Sequence, residues 1–145
     1  MKLGILSDIH VDLNYEVNDP IEEALIHHIR TQNIDYMIIA GDISNDYKIS
    51  LKTLEQVQEK THSKCLFVPG NHDLWNINHP DINTQQIHAQ LAAFEGNLVS
   101  APIHLNDQWV VIGDTGWYDY SFGADHYTLH DFIPGTAVPS VSDMH

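Results

Sequence analysis

Three short apolar runs, each followed directly by polar residues, restrict the fold of this chain more than any other feature of its sequence. The runs cover residues 2–7, 36–40 and 65–68, and they are rich in Ile and Leu. Continuous apolar runs of this length are typical of strands buried on both faces of a parallel sheet. The sequence therefore predicts three parallel strands whose carboxyl ends carry polar side chains.

Helical patterns separate these predicted strands. Asp19 can cap the first helix, and Pro20 suits its first turn. A second helix is expected at about residues 48–60 and a third at about 84–95, with Gly96-Asn97 as the stop signal. The resulting β-α-β-α-β order predicts right-handed crossovers and a ligand site just outside the carboxyl ends of the strands.

The pattern changes after the third helix. Leu98–Ala101, Ile103–Leu105 and Trp109–Gly113 are predicted to be short strands, and the last two form a hairpin across Asn106-Asp107. From residue 114 onward no hydrophobic period is sustained, and the segment 133–145 is expected to be loop. The 145 residues have room for one domain of the α/β class.

Charge and cysteine content narrow the classes of function. With 20 acidic and 6 basic residues the formal net charge is −14, which argues against binding nucleic acid by charge, because phosphates would be repelled. The single cysteine, Cys65, excludes an intramolecular disulfide and a Cys-rich zinc site, and it favours a cytoplasmic location. We find no signal peptide and no apolar span of the ~20 residues that a membrane helix needs.

The residues at the three strand ends have the chemistry of metal ligands. Asp8 and His10, two apart, can offer a carboxylate oxygen and an imidazole nitrogen to one metal. Asp42 follows Gly41, where a side chain would obstruct close approach, and its two oxygens can bridge two cations. Asn71 offers an amide oxygen to the second cation. Nitrogen and oxygen ligands without thiolate suit Mn, Fe, Zn or Ni.

Two cations ~3.5–4 Å apart would clamp a phosphoryl group and activate a water molecule to attack it. His72 is then available for catalysis, because it stands beside Asn71, where an imidazolium can stabilise or protonate the leaving oxygen. Asn45, three residues after Asp42, is placed to accept the other ring N–H of His72. The sequence predicts His72 and Asn45 as catalytic residues.

Each of these residues alone has an ordinary structural explanation. An Asp at a strand end is commonly a helix cap or turn former, and other histidines of the chain are expected to be solvated or half-buried without a function. Asp114-Thr115-Gly116-Trp117 follows a predicted strand, and a simple turn is the favoured interpretation. The aromatic residues near it fit either a substrate pocket or core packing: Trp117, Tyr118, Tyr120 and Phe122.

Taken together, Asp8-Ile9-His10, Gly41-Asp42-Ile43-Ser44-Asn45 and Gly70-Asn71-His72-Asp73 resemble the first three signature motifs of the calcineurin-like metallophosphoesterases. The resemblance implies a four-layer α/β/β/α sandwich and hydrolysis of phosphate mono- or diesters at a binuclear metal centre, with manganese among the candidate ions. It assigns Asp8 and His10 to the first metal, Asp42 to both, Asn71 to the second, and His72 to catalysis. Some relatives carry Asp where Asn45 stands, so the partner of His72 would be neutral here.

The chain departs from the family pattern in its second half, because it contains no Gly-His pair and hence no Gly-His-x-His motif. We therefore expect an incomplete sandwich, the amino-terminal portion of a longer phosphoesterase. His126, His130 and His145 are conceivable substitutes for the missing ligands. A non-catalytic phosphoesterase-like scaffold that binds a protein partner is the alternative function. An uncovered sheet face also predicts that the chain forms a homo-oligomer, carries a disordered tail past about residue 120, or needs the missing half of the fold.

Overall fold

The computed structural model describes residues 1–13, 20–116 and 128. Its contacts separate Met1–Thr115 from Gly116–His145, and of the second unit only Gly116 and Thr128 are described. The elements of the first unit are β1 (Leu3–Leu6), α1 (Ile21–Gln32), β2 (Tyr36–Ala40), α2 (Tyr47–Thr61), β3 (Lys64–Val68), a 3-10 helix (His72–Leu74), α3 (Thr84–Ala92), β4 (Ile103–His104) and β5 (Val110–Val111).

A parallel sheet with the strand order β1-β2-β3 forms the centre of this unit. Gly4 pairs with Met37, and Met37 pairs in turn with Cys65. The predicted β-α-β-α-β core of an α/β protein is confirmed. Because all three strands run in one direction, the residues that follow Leu6, Ala40 and Val68 emerge at the same edge of the sheet.

The helices cover one face of the sheet. On this face Met37, Ile39 and Phe67 are at most 3% exposed, and they belong to the same apolar cluster as Leu54 and Val57 of α2. These helical positions are three residues apart, which places them on the same side of α2. The core therefore lies between the helices and the sheet, and it packs against the strands that lead to the polar strand ends.

The opposite face of the sheet is only partly covered. Leu66 is buried, whereas Leu3 is 40% and Ile5 is 70% exposed. The hairpin of β4 and β5 contacts β2, where the Tyr36 hydroxyl donates a 3.5 Å hydrogen bond to the Leu105 carbonyl. Gly113, which follows the hairpin, lies against Val68 of β3. The expectation of strands buried on both faces thus holds for β3 and is wrong for β1, because no described element packs over its outer side.

Of two local predictions after α3, one is wrong and one is confirmed. The segment Leu98–Ala101 forms turns, because the Asn97 side chain accepts a 2.8 Å hydrogen bond from the Val99 N–H and donates one of 3.0 Å to the Leu91 carbonyl. Asn97 itself pairs in parallel with Phe67 as an isolated bridge. The hairpin across Asn106-Asp107 is confirmed, with shorter strands than expected.

The start of α1 is partly described. Pro20 occupies the N-cap position, and its carbonyl accepts the backbone N–H of Glu23 at 2.9 Å. Asp19, predicted as the cap, lies outside the described residues. None of the helices formed by the described residues combines the length and apolarity needed to cross a membrane.

Burial makes a testable prediction for Cys65. Its thiol is 1% exposed, and desolvation raises its pKa from 9.0 to about 12. Because the thiolate is the nucleophile, we expect Cys65 to resist a thiol-specific reagent at pH 8 and to react promptly in denaturant, as measured by absorbance.

The raised pKa of Cys65 also makes the stability of the folded state depend on pH. The folded state keeps the thiol protonated where the unfolded chain loses the proton, so the contribution of Cys65 is present below pH 9.0 and is lost as the pH rises toward about 12. Rapid labelling of the native protein at pH 8 would contradict the buried position.

Candidate metal centre and active site

Backbone pairing continues beyond the ends of β1 and β2 and aligns the two loops that follow them. The Asp8 N–H donates to the Gly41 carbonyl at 3.1 Å, and the His10 N–H donates to the Asp42 carbonyl at 3.1 Å. Each residue of the first motif is thereby held beside the second motif. The predicted meeting of the first two strand ends follows from the register of the parallel sheet.

Three of the predicted metal ligands have a strained backbone. The φ angles are 56° at Asp8, 40° at His10 and 55° at Asp42, in the left-handed region that side chains disfavour. Such conformations cost of order 1–3 kcal/mol each and concentrate at ligand and active sites. The left-handed backbone at these three residues therefore lowers the stability of the fold and sets the directions of their side chains.

Two glycines allow the loops after β2 and β3 to touch. Gly41 has φ 80°, and a Cβ on it would stand 2.8 Å from Cα of Gly70. A Cβ on Gly70 would stand 2.1 Å from Oδ1 of Asp42. Both distances are shorter than real Cβ contacts, so only glycine fits at either position without displacing a backbone. The predicted reason for Gly41, close approach, is what the structure shows.

The strand ends bring His10, Asp42 and His72 together. One nitrogen or oxygen from each lies within 4.8 Å of the others, and all three residues are half-buried. Among the residues that the structure describes, no other group of three His, Cys, Asp or Glu side chains meets this condition. Oδ1 of Asp42 also accepts the backbone N–H of His72 at 3.0 Å, which ties the second motif to the third.

The other two predicted ligands lie at the same edge but outside this group of three. Asp8 precedes His10 by two residues and is exposed, and Asn71 is exposed directly before His72. His72, predicted as a catalytic group and not as a ligand, lies within this group of three.

The imidazole of His72 is held on several sides. Its Nδ1 lies 2.5 Å from Oδ1 of Asn45, so the ring N–H donates and the amide oxygen accepts. The edge of His10 meets it at a centroid distance of 4.7 Å, and the indole of Trp75 packs at 3.9 Å. The backbone of Asn45 is fixed in turn, because its main-chain N–H donates to Oδ2 of Asp12 at 3.0 Å. These contacts leave Nε2 as the ring nitrogen available for chemistry.

Asp73, the last residue of the third motif, has a structural role that the sequence did not predict. Its side chain is 0% exposed, and Oδ2 accepts the N–H groups of Asp42 and Gly70, both at 2.9 Å. Oδ1 accepts from the Ile43 N–H at 3.0 Å and the Ser44 N–H at 3.3 Å. The Ser50 hydroxyl donates to the same oxygen at 2.6 Å. Its position one residue past His72 was the available signal.

Burial raises the pKa of the Asp73 carboxyl above its ordinary value, and the Ser50 hydroxyl and the backbone N–H groups oppose that rise. Desolvation penalises the charged form, whereas five donors aimed at two oxygens favour it. Both oxygens of this side chain are therefore committed to hydrogen bonds within the protein interior.

The contact between His79 and Asp46 was also not predicted from the sequence. His79, one of the histidines expected to have no function, has Nε2 at 3.0 Å from Oδ1 of Asp46, the residue that caps α2. Asp46 accepts the Lys48 N–H at 2.9 Å, which is the capping bond. The sequence separation of 33 residues between His79 and Asp46 explains why no local pattern reveals the pair.

The remaining predictions for this region divide into two groups. His27 and His28 are exposed on α1 and His88 is half-buried on α3, as expected. Asp114 accepts the Thr115 N–H at 2.7 Å, and residues 112–116 form neither a turn nor a regular element, so the turn interpretation is not confirmed. The other candidates lie outside the described residues: Trp117, Tyr118, Tyr120, Phe122, His126, His130 and His145.

Comparison with known proteins decides the family. The sequence profile described as calcineurin-like phosphoesterase matches residues 1–136 of this chain. The chain belongs to the calcineurin-like phosphoesterase family. The resemblance of the three motifs is thereby confirmed, and the parallel sheet with its helices agrees with an incomplete fold of this family.

Two curated relatives match part of the chain. An uncharacterized protein of Acanthamoeba polyphaga mimivirus is 30% identical over 94 residues, which are 61% of this chain and 34% of the relative. A protein of Vesicomyosocius okutanii subsp. Calyptogena okutanii (strain HA), named "Probable cyclic nucleotide phosphodiesterase", is 38% identical over 73 residues, 47% of this chain and 31% of the relative. The matched regions span about a third of each relative. No solved structure matches the chain significantly.

Family membership supports phosphoester hydrolysis as the general class of chemistry, and the family normally binds divalent metals. The donor set of this chain is compatible with such ions. His10, Asp42 and His72 supply two imidazoles and a carboxylate at one place, with Asp8 and Asn71 beside them. Nitrogen and oxygen donors of this kind suit borderline divalent cations.

Substitution of one predicted ligand tests the site assignment. We expect Asp42→Ala to lose most of the bound Mn²⁺ or Zn²⁺ at limiting metal, because the Asp42 carboxylate converges with the imidazoles of His10 and His72. Elemental analysis of the purified protein provides the measurement.

His27→Ala is the control for the metal content, since its side chain is exposed on α1, away from the strand ends. Unchanged metal content in Asp42→Ala, or an equal loss in His27→Ala, would remove the metal centre from this edge of the sheet.

Proposed function

We propose that this chain carries the site for metal-dependent hydrolysis of phosphate mono- or diesters. The observation that supports the proposal best is the convergence of His10, Asp42 and His72 within 4.8 Å at the edge where a parallel sheet binds its ligands. The Asn45 contact with His72 adds an imidazole of defined orientation. Such an arrangement is suited to transfer of a phosphoryl group to water.

We assign two divalent cations to the site. Asp8 and His10 would hold the first, Asn71 the second, and Asp42 both. Mn, Fe, Zn and Ni are the candidates, because the donors are nitrogen and oxygen without thiolate. When bound, the cations neutralise phosphoryl charge and activate water as the nucleophile.

His72 is the proposed catalytic group. Its Nδ1 proton is committed to Asn45 at 2.5 Å, so Nε2 is the atom that faces the leaving oxygen. A proton held at Nε2 can pass to that oxygen or stabilise its negative charge. Asn45 keeps the ring in one orientation, and the indole of Trp75 at 3.9 Å prevents it from swinging away. Asn45 and Trp75 thus act through His72.

The charge of the chain bears on its substrate. With a net charge of −14 the surface repels polyanions, so an anionic substrate would be held by the cations of the site. A cyclic phosphodiester is the substrate class that we would test first, since one relative is named for cyclic nucleotide phosphodiesterase activity. A cytoplasmic location accompanies this proposal, and the lone buried Cys65 is compatible with it.

Replacement of His72 tests the catalytic assignment. We expect His72→Ala to lower the turnover of a chromogenic phosphodiester by about 10²–10⁴-fold with little loss of metal, because an acid or charge stabiliser is removed. Initial rates at saturating Mn²⁺ and the metal content are both measured.

His88→Ala on α3 is the matched control and should keep the wild-type rate. Loss of metal together with activity would make His72 a ligand. A wild-type chain that binds metal but hydrolyses no phosphoester would favour the alternative of a non-catalytic scaffold.

We also propose that the outer face of the sheet forms a homo-oligomer. Leu3 and Ile5 project from β1, and Trp109 and Ile112 from the hairpin are 62% and 74% exposed. Exposed apolar surfaces of this kind favour association. A second copy of the chain presents the same apolar face and is therefore a suitable partner.

Light scattering at increasing protein concentration tests this association. We expect a mass above that of one chain, and Ile5→Lys should shift it toward the monomer, because a charge at a 70% exposed position opposes burial. Lys52→Ala, on the exposed side of α2, serves as the control. A wild-type monomer at all concentrations would contradict the proposal.

A further inference from the structure

The side chain of Asp73 connects three separate elements behind the proposed site. Its two oxygens accept four backbone N–H groups and one hydroxyl, and it is 0% exposed. Three of the N–H groups belong to residues 42–44 after β2, one belongs to Gly70 after β3, and the hydroxyl is that of Ser50 on α2. Apart from Ser50, every donor belongs to a loop that carries a proposed metal ligand or His72.

We propose that Asp73 is a positioning residue whose buried carboxylate sets the separation of the Asp42 and His72 loops, and thereby the metal affinity of the site. This inference rests on the proposed function for the identity of the ligands, and on hydrogen bonds within the chain for the mechanism. Asp73 is 0% exposed and acts through its hydrogen bonds to the loops.

The two loops are joined by reciprocal bonds between acidic side chains and backbone amides. Asp73 Oδ2 accepts the N–H of Asp42 at 2.9 Å, and Asp42 Oδ1 accepts the N–H of His72 at 3.0 Å. The first bond holds the backbone of Asp42 in its left-handed conformation, φ 55°. The second bond can form only when that backbone places the Asp42 carboxylate over the third motif. Asp73 therefore controls the direction of a metal ligand without binding the metal.

The geometry requires a carboxylate at position 73. Five donors share two oxygens, and both oxygens must accept. An Asn side chain has the same size but replaces one acceptor by an NH₂ donor, which would face N–H groups of the loops. Those N–H groups would lose their buried partner, and the loops would separate to reach water.

The competing explanation is that buried Asp73 stabilises the fold in general and has no specific effect on the two loops. The two explanations differ in what they predict for the loops in a folded protein. If Asp73 only stabilises the fold, any core substitution that lowers the free energy of unfolding by a similar amount should weaken metal binding equally. Positioning implies that the loss is specific to Asp73 and its donors, and that the amides of residues 42–44 and 70 lose protection while the sheet keeps it.

The test uses the full chain with Asp73→Asn. Partners that orient metal ligands typically change metal affinity by about 10–100-fold. We expect the Mn²⁺ dissociation constant, measured by titration calorimetry, to rise by about that factor. Hydrogen exchange at the amides of Asp42, Ile43, Ser44 and Gly70 should accelerate by about tenfold or more without metal, with exchange in β3 unchanged.

Val57→Ala is the matched destabilising control, because Val57 is 0% exposed on the core side of α2 and contacts neither loop through a hydrogen bond in the described residues. We expect it to lower the unfolding midpoint while leaving the Mn²⁺ affinity within about threefold. An equal loss of affinity in Val57→Ala and Asp73→Asn would overturn the positioning role. Wild-type affinity and wild-type loop exchange in Asp73→Asn would overturn it as well.

Ser50→Ala keeps the test decisive if Asp73→Asn does not fold. It removes one of the five donors, the buried hydroxyl on α2, and retains the carboxylate, so exchange at the Ile43 and Ser44 amides should rise by about threefold in a folded protein. Unchanged exchange there would overturn the proposal. A wild-type chain that binds no Mn²⁺ would refute the proposed function, whereas the exchange comparison without metal would still decide the role of Asp73.

Discussion

A buried carboxylate that accepts backbone N–H groups from two neighbouring loops is the interaction on which the site depends. Asp73 lies under the loops after β2 and β3 and satisfies N–H groups that the strand ends leave without a ladder partner. A charged group is expensive to bury unless it is fully hydrogen-bonded, and here five donors meet that requirement. The same bonds make the carboxylate hard to replace and the two loops hard to separate.

The strained loops are possible because the surrounding sheet is regular. Asp8, His10 and Asp42 adopt left-handed φ angles that cost stability, and backbone bonds at 3.1 Å from Asp8 to Gly41 and from His10 to Asp42 hold the strands in register up to these residues. Ile39 and Phe67 directly below are 0% exposed. A rigid base and permissive glycines together explain how the polar side chains converge at the sheet edge and do not relax into solvent.

The two faces of the sheet have different roles. The helical face contains nearly all of the core, including Ile39, Leu54 and Phe67, and stability is therefore concentrated there. On the outer face Ile5 of β1 remains 70% exposed, and the hairpin, which contacts Tyr36 of β2, does not bury it. The proposed site lies at the carboxyl ends of the strands, where the register of the sheet and the loops brings its residues together. The contacts within the site do not involve the outer face.

Much of the fold was predictable from local patterns. Apolar runs identified all three strands, helical periodicity identified α2 and α3 to within a few residues, and the motifs identified the family that the profile match over residues 1–136 confirms. Leu98–Ala101 was mistaken for a strand, because the Asn97 side chain bonds locally and turns the chain. Apolar composition alone does not reveal such a competing hydrogen bond.

The sequence by itself determined which residues have metal and proton chemistry and that they follow parallel strands: Asp8, His10, Asp42, Asn45, Asn71 and His72. Only the tertiary structure decided which of them meet. It brought His72 into one group with His10 and Asp42, left Asp8 exposed, and gave Asp73 its five donors. The physical reason is range: strand and helix patterns arise from neighbours in the chain, whereas these contacts join residues about 30 positions apart through the register of the sheet.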